Sequence, residues 1–194
     1  MFTLTVILNM KNIPFEEKIL IEKCKSGACE AFGSLMTIYR RRLYSYLFKL
    51  TGDGTDTEDV FQETLIKIWK GLPDYNYGNR FSSWIFTVAH NTAMDHLRKK
   101  MRERNFEEIT DDTVNFHENR DFSDELHINE IKKQIITAVD KLSGKQKNVF
   151  LLRIHSGMSF KEISEVTGES LNTVLSHMRY AVIKLKKYVR TYNE

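Results

Sequence analysis

Only two prolines and nine glycines interrupt the 194 residues of this chain. Helix breakers this scarce exclude a turn-rich all-β fold and favour helices throughout. Cysteine is as sparse. Cys24 and Cys29 are separated by four residues on one expected helix, with no second Cys/His pair at zinc-ligand spacing. They are read as reduced, structurally ordinary thiols, in keeping with a cytoplasmic protein. Long apolar runs are missing too. The opening MFTLTVILN is too short to span a bilayer and has neither a basic leader nor a small-residue cleavage site. Residues 1–15 are therefore read as a tail, with Met1 and Met10 both open as translation starts. The histidines and carboxylates form no metal, triad or glycine-rich phosphate signature. No cofactor, metal or small-molecule substrate is expected, and the chain is not read as an enzyme.

What is present is apolar content of 41%, enough for packed cores, and a charge distribution in three blocks. Residues 1–104 carry a net charge of +4, residues 105–127 a net of −7, and residues 128–194 a net of +6. Two basic blocks flank an acidic connector. Basic blocks suit a polyanionic partner, although ordinary solvated surfaces would show the same sums. The fold class expected is all-α: two small helical domains, residues 16–104 and 128–194, joined by an acidic flexible linker over 105–127.

Apolar residues recur at steps of three and four through Phe32, Leu35, Met36, Tyr39, Leu43, Tyr46 and Leu47, and again through Phe61, Leu65, Ile68, Trp69 and Leu72. Thr55 and Glu58 have capping-box spacing at the start of the second of these helices. A polar and aromatic loop over 73–80 follows, and Ser82 or Ser83 is expected to cap the next helix. That helix buries Phe81, Trp84, Ile85, Val88 and Ala89 and ends in the basic run 97–104. In the C-terminal block, Ser143 with Gln146 and Ser159 with Glu162 are further capping-box pairs.

The sharpest local pattern is SFKEISEVTGESLNTVLSHMRYAVIKLKK, residues 159–187. A short helix with Phe160, Ile163 and Val166 on one side meets Gly168, a residue able to take positive φ. A second helix then carries Leu171, Val174, Met178, Ala181, Leu185 and Tyr188 on its apolar side. A plain helical hairpin fits the same stripe. The opposite face separates the readings: Asn172, Leu175, Ser176, Arg179 and Tyr180 precede Lys184, Lys186 and Lys187. Groups that can read base edges come before cations that can meet phosphates, as in a helix-turn-helix DNA reader.

Two N-terminal passages add to this. EDVFQETLIKIWKGL, residues 58–72, places Asp59, Gln62 and Glu63 on one polar face, and RFSSWIFTVAHNTAMDHLRKK, residues 80–100, places Asn91, Asp95 and Arg98 on another. In this order and spacing they resemble domain 2 of the sigma-70 superfamily, through Glu58, Asp59, Gln62, Glu63, Trp69, Phe81, Trp84, Ala89, Asn91, Asp95 and Arg98. Residues 142–187 resemble domain 4 of the same superfamily. With an acidic linker and no domain between, the chain resembles the extracytoplasmic-function (ECF) group of sigma factors.

That resemblance implies a sigma factor that binds bacterial core RNA polymerase, at the β′ clamp helices and the β flap, and guides it to promoter DNA. It implies polymerase binding by Asp59, Gln62 and Glu63. It implies minus-ten recognition and strand opening by Tyr75, Tyr77, Asn79, Asn91, Asp95, Arg98, Lys99, Lys100 and Arg102, the tyrosines and Asn79 forming a pocket for an unpaired base. Minus-thirty-five recognition falls to Lys161, Thr173, Leu175, Ser176, Arg179 and Tyr180. Leu175, His177 and Tyr180 stand where the family often has Lys or Arg, which implies weaker and less salt-dependent binding by domain 4 alone. An anti-sigma factor is an expected partner. The acidic linker is expected to thread toward the RNA exit. A helix-turn-helix regulator that is not a polymerase subunit is the alternative, and it leaves the two N-terminal passages without a role.

Overall fold

The computed structural model describes residues 15–78, 80–107 and 136–191. The described regular structure is helical, and the chain separates into two compact units that divide between Phe116 and His117. Most of the predicted linker, the predicted helix start over 128–135, and Asn79 lie outside the described residues.

The N-terminal unit holds α1 (Phe15–Lys25), α2 (Cys29–Thr51), α3 (Gly54–Gly71) and α4 (Phe81–Glu107). Helix α1 opens with Glu16 and Glu17 and closes with Lys23 and Lys25, charges that suit the two ends of a helix dipole. It stops at Gly27, whose φ is 90°, so Cys24 and Cys29 sit on two helices and not on one. Cys24 is buried, Cys29 exposed, and both are free.

Helix α2 ends at Gly52, left-handed at φ 72°, with its N–H on the Phe48 carbonyl. That exit places Asp53, and not Thr55, at the start of α3. The Asp53 carboxylate accepts from the N–H groups of Thr55 at 2.9 Å and Asp56 at 3.0 Å. An ionised acceptor at a helix N-terminus satisfies orphan donors and favours the dipole together. The Thr55–Glu58 box therefore does not form. Ser82 and Ser83 do not cap α4 either. Both are buried inside its first turn, and the Arg80 carbonyl already accepts from the Trp84 N–H at 3.1 Å. Helix α4 runs on to Glu107, three residues past the predicted domain end.

The core between α2, α3 and α4 is built from Leu43, Tyr46, Leu47, Ile68, Phe81, Ile85 and Phe86, all fully buried. Side chains of this size each contribute about 1.5–3 kcal/mol by leaving water. Leu65 and Trp69, read as core, are only half-buried, with Trp69 edge-on to Phe32 at 5.1 Å. Two polar groups enter the core with partners. The Tyr46 hydroxyl lies 2.9 Å from His90 Nδ1, and Tyr39 donates to Glu17 at 2.5 Å. Unpartnered, each would carry a desolvation cost of about 1–3 kcal/mol.

The C-terminal unit holds helical residues 136–140, then α5 (Gly144–Ser156), α6 (Phe160–Thr167) and α7 (Leu171–Thr191). Ser143 stands at the N-cap of α5, but its hydroxyl makes no capping bond. The Ser159–Glu162 box is complete: Ser159 Oγ accepts from the Glu162 N–H at 3.2 Å, and Glu162 Oε2 accepts from the Ser159 N–H at 2.7 Å. Gly168 takes the expected left-handed turn at φ 69°. Val139, Leu142, Val149, Leu152, Met158, Ile163, Val174 and Ala181 form the core. Leu171, assigned to an apolar face by its spacing, is 44% exposed, and Ile136 is 41% exposed. Each is the first described residue of its helical segment.

Candidate nucleic-acid and protein interfaces

Helix α3 turns Asp59, Gln62 and Glu63 outward, all exposed, while Val60, Phe61, Thr64 and Ile68 face the core. Gln62 donates to Glu58 at 3.2 Å, and Glu63 pairs with Lys67 at 2.8 Å. Solvated pairs at this spacing are worth a few tenths of a kcal/mol, so they exchange readily for a partner's cations. Exposed Ile66 adjoins them in sequence.

The loop between α3 and α4 corrects one expectation. Tyr75 does not offer its ring to solvent: it is 4% exposed and packs against Phe81 and Trp84, each at 5.2 Å between ring centres. Burial, and secondly the Glu17 charge, push its hydroxyl up to about 12. Tyr77 is the exposed ring, at 41%. Its hydroxyl donates to Glu22 of α1 at 2.5 Å. Burial and then that carboxylate raise it well above the ordinary tyrosine value. Beside the loop runs an open groove of about 440 Å³, lined by Tyr75 and Trp84 and by the polar groups of Lys67, Asp74 and Asn91. Aromatic walls with a few hydrogen-bonding groups can hold a planar base.

Along α4, Asn91, Asp95 and Arg98 are exposed, and Arg98 donates to Asp95 at 2.6 Å. Lys99 lies 3.8 Å from Glu103 with both well solvated, and Arg102 is exposed. Lys100 departs from its expected place among the phosphate contacts. It is paired with Asp56 at the start of α3, where His96 also approaches, at 3.3 Å. This cation ties two helices of the same unit together.

In the C-terminal unit, Leu175, Ser176, Arg179 and Tyr180 are exposed along α7, and Lys161 is exposed on α6. Thr173 is half-buried. Its N–H donates to Ser170 Oγ at 3.1 Å, and its hydroxyl lies 2.8 Å from the same atom. Ser170 is thus the cap of α7, a residue that the sequence pattern did not single out.

Glu169 was missed as well. It pairs with Lys145 of α5 at 3.0 Å and lies 3.4 Å from His177 of α7, joining the turn to both helices. No periodicity marks a turn residue that acts through tertiary contacts. Glu169→Ala is expected to lower the stability of the C-terminal unit by about 1 kcal/mol, because Lys145 loses its acceptor and His177 the carboxylate beside it. Thermal melting followed by circular dichroism checks this.

Among the described residues no group of three or more His, Cys, Asp or Glu is placed to hold a metal ion. No described helix is long and apolar enough to cross a membrane.

Residues 35–103 match the family described as Sigma-70 region 2, and residues 132–185 match Sigma-70, region 4. The ECF RNA polymerase sigma factor SigL of Mycobacterium tuberculosis is 32% identical over 167 residues, covering 83% of this chain and 92% of that protein. The ECF RNA polymerase sigma factor SigW of Bacillus subtilis is 26% identical over 183 residues, covering 88% and 95%. Among solved structures, the sigma factor RpoE of Bartonella quintana, crystallised with the anti-sigma factor NepR, aligns with a TM-score of 0.62 at 22% identity. That alignment covers 82% of this chain and 96% of that one, and its fold is the fold seen here. With both regions matched in order, and an ECF relative 32% identical over most of its length, this chain belongs to the ECF family of sigma-70 RNA polymerase sigma factors.

Proposed function

We infer that this protein is the promoter-specificity subunit of a bacterial RNA polymerase. It binds the core enzyme, recognises minus-ten and minus-thirty-five elements, and assists strand opening. The observation that carries the reading is the division of labour between faces. The outward face of α3 is acidic and cannot favour DNA, whereas α7 presents Leu175, Ser176, Arg179 and Tyr180 without an acid among them.

In this reading residues 1–15 are a tail and 16–104 form the unit for polymerase binding and minus-ten recognition. Residues 105–127 are an acidic linker, and 128–194 form the minus-thirty-five reader. Asp59, Gln62 and Glu63 meet a cationic polymerase surface. Tyr77 supplies the exposed stacking ring, while Tyr75 acts from beneath as a wall of the groove that also holds Asn91. Asn91, Asp95, Arg98, Lys99 and Arg102 face the DNA, and Lys100 supports α4 from behind through Asp56. Lys161 and Thr173 flank the base-reading residues of α7. The cytoplasm is the expected location, and an anti-sigma factor the expected regulator.

Run-off transcription with core polymerase and a promoter library tests the proposal. Transcripts that require this protein, from templates sharing two spaced elements, support it. DNA binding without polymerase and no stimulated transcript would favour a free-standing regulator. The paired substitution Asp59→Asn with Glu63→Gln is expected to weaken core binding about tenfold, chiefly at low salt, as for charges at the rim of an interface. Fluorescence anisotropy with labelled protein measures it.

A further inference from the structure

Helix α1 lies ahead of the residues matched to the region 2 family, which begin at 35. Two stripes run along it. Glu17, Ile21 and Cys24 are buried, fixing α1 on α2 through the Glu17–Tyr39 bond. Lys18, Glu22 and Lys25, at the same helical spacing one residue on, meet the loop between α3 and α4. Lys25 Nζ donates to the Tyr75 carbonyl at 2.7 Å. Glu22 accepts from the Tyr77 hydroxyl at 2.5 Å. The ammonium groups of Lys18 and Lys25 stand 5.6 Å and 5.5 Å from the centre of the Tyr77 ring.

We propose that α1 is part of the strand-opening apparatus, with Glu22 and Lys25 as positioning residues that hold the loop so that the exposed Tyr77 ring is pre-oriented for an unpaired base. The proposal rests on the reading of that loop as the base-capturing element. The physical reason is preorganisation. A loop tethered at a backbone carbonyl and at a side-chain hydroxyl has already lost the freedom that base capture would otherwise remove. Its tethers come from a helix anchored by its other face. The two ammonium groups add positive charge where a captured nucleotide brings its phosphate.

The test uses the full-length protein with core polymerase, reading open complexes by permanganate reactivity of minus-ten thymines and core affinity by anisotropy. Glu22→Ala and Lys25→Ala are each expected to lower open-complex formation about tenfold, the scale of one charge-assisted hydrogen bond, with core affinity unchanged. Tyr77→Phe keeps the ring and removes only the hydroxyl, so it should reproduce Glu22→Ala. The combined Glu22→Ala/Tyr77→Phe variant should open no worse than either alone, a non-additivity that general destabilisation does not produce. Parental opening by Glu22→Ala and Lys25→Ala, beside poor opening by Tyr77→Ala, overturns the role of α1 and leaves base capture standing. Parental opening by Tyr77→Ala removes the base-capture reading itself, and this inference with it.

Discussion

Phe81→Ala is expected to destabilise the N-terminal unit by about 3–5 kcal/mol, the usual range for truncating a buried phenylalanine. Small domains have only about 5–15 kcal/mol in total, so the unit should melt some 12 °C or more lower. Phe81 is fully buried. Its ring meets Tyr39 of α2 at 5.7 Å, Tyr75 of the loop at 5.2 Å and Trp84 one turn along α4 at 5.5 Å. A cavity there undermines the wall of the groove and the base of the Tyr77 loop together, so promoter opening should fall with stability. Phe81→Leu retains most of the volume and should cost less. Both tryptophans of the chain, Trp69 and Trp84, lie in this unit. Their fluorescence during urea unfolding therefore reports on it apart from the helix-turn-helix unit. An unchanged midpoint for Phe81→Ala would contradict the packing described here.

Much of this architecture is legible from periodicity, because burial on a helix repeats at three and four. The faces of α2 and α3 and the seam of α7 through Val174 and Ala181 follow from spacing alone. The Ser159–Glu162 box and the Gly168 turn are local too, and both form. Other capping boxes fail for an instructive reason. The spacing of Thr55 and Glu58 is right, but Gly52 exits α2 in a way that hands the cap to Asp53. Helix starts are decided by the neighbour that precedes them.

Burial in loops is harder to read. Tyr75 sits in a polar stretch that composition places at the surface, yet two aromatic rings 6 and 9 positions onward draw it inside. Glu17 is a carboxylate near the start of a helix, and only the Tyr39 hydroxyl, 22 residues away, explains its burial. Lys100 reads as part of a basic run until Asp56, 44 residues earlier, is seen to hold it. Of the candidate site, the exposed faces were legible. The residues that orient them, Glu22, Lys25, Glu169 and Ser170, act between elements that the linear sequence keeps apart.

The second large effect concerns acid. His90 is 4% exposed, and burial, aided by the positive charge of Arg98 two turns along α4, lowers its pKa to about 4. Its ordinary value, near 6.5, applies when the chain unfolds. Between these values the unfolded chain binds a proton that the folded unit refuses, so stability must fall as pH drops. The contribution is complete above about pH 6.5 and is lost progressively down to about pH 4, reaching some 3 kcal/mol at 1.36 kcal/mol per unit. The geometry agrees with the sign. Nδ1 lies 2.9 Å from the Tyr46 hydroxyl in a core closed to water, where the charged form of the ring is disfavoured. His90→Asn keeps a polar group within reach of Tyr46 and removes the titration. Urea unfolding of both proteins by tryptophan fluorescence, from pH 8 to pH 4, should show the parent ahead at neutral pH and its advantage shrinking as the pH falls. Other carboxylates titrate in both proteins alike, so the difference isolates the imidazole. Parallel stability curves would mean that the imidazole binds its proton equally well in the folded and the unfolded chain, which its burial opposes.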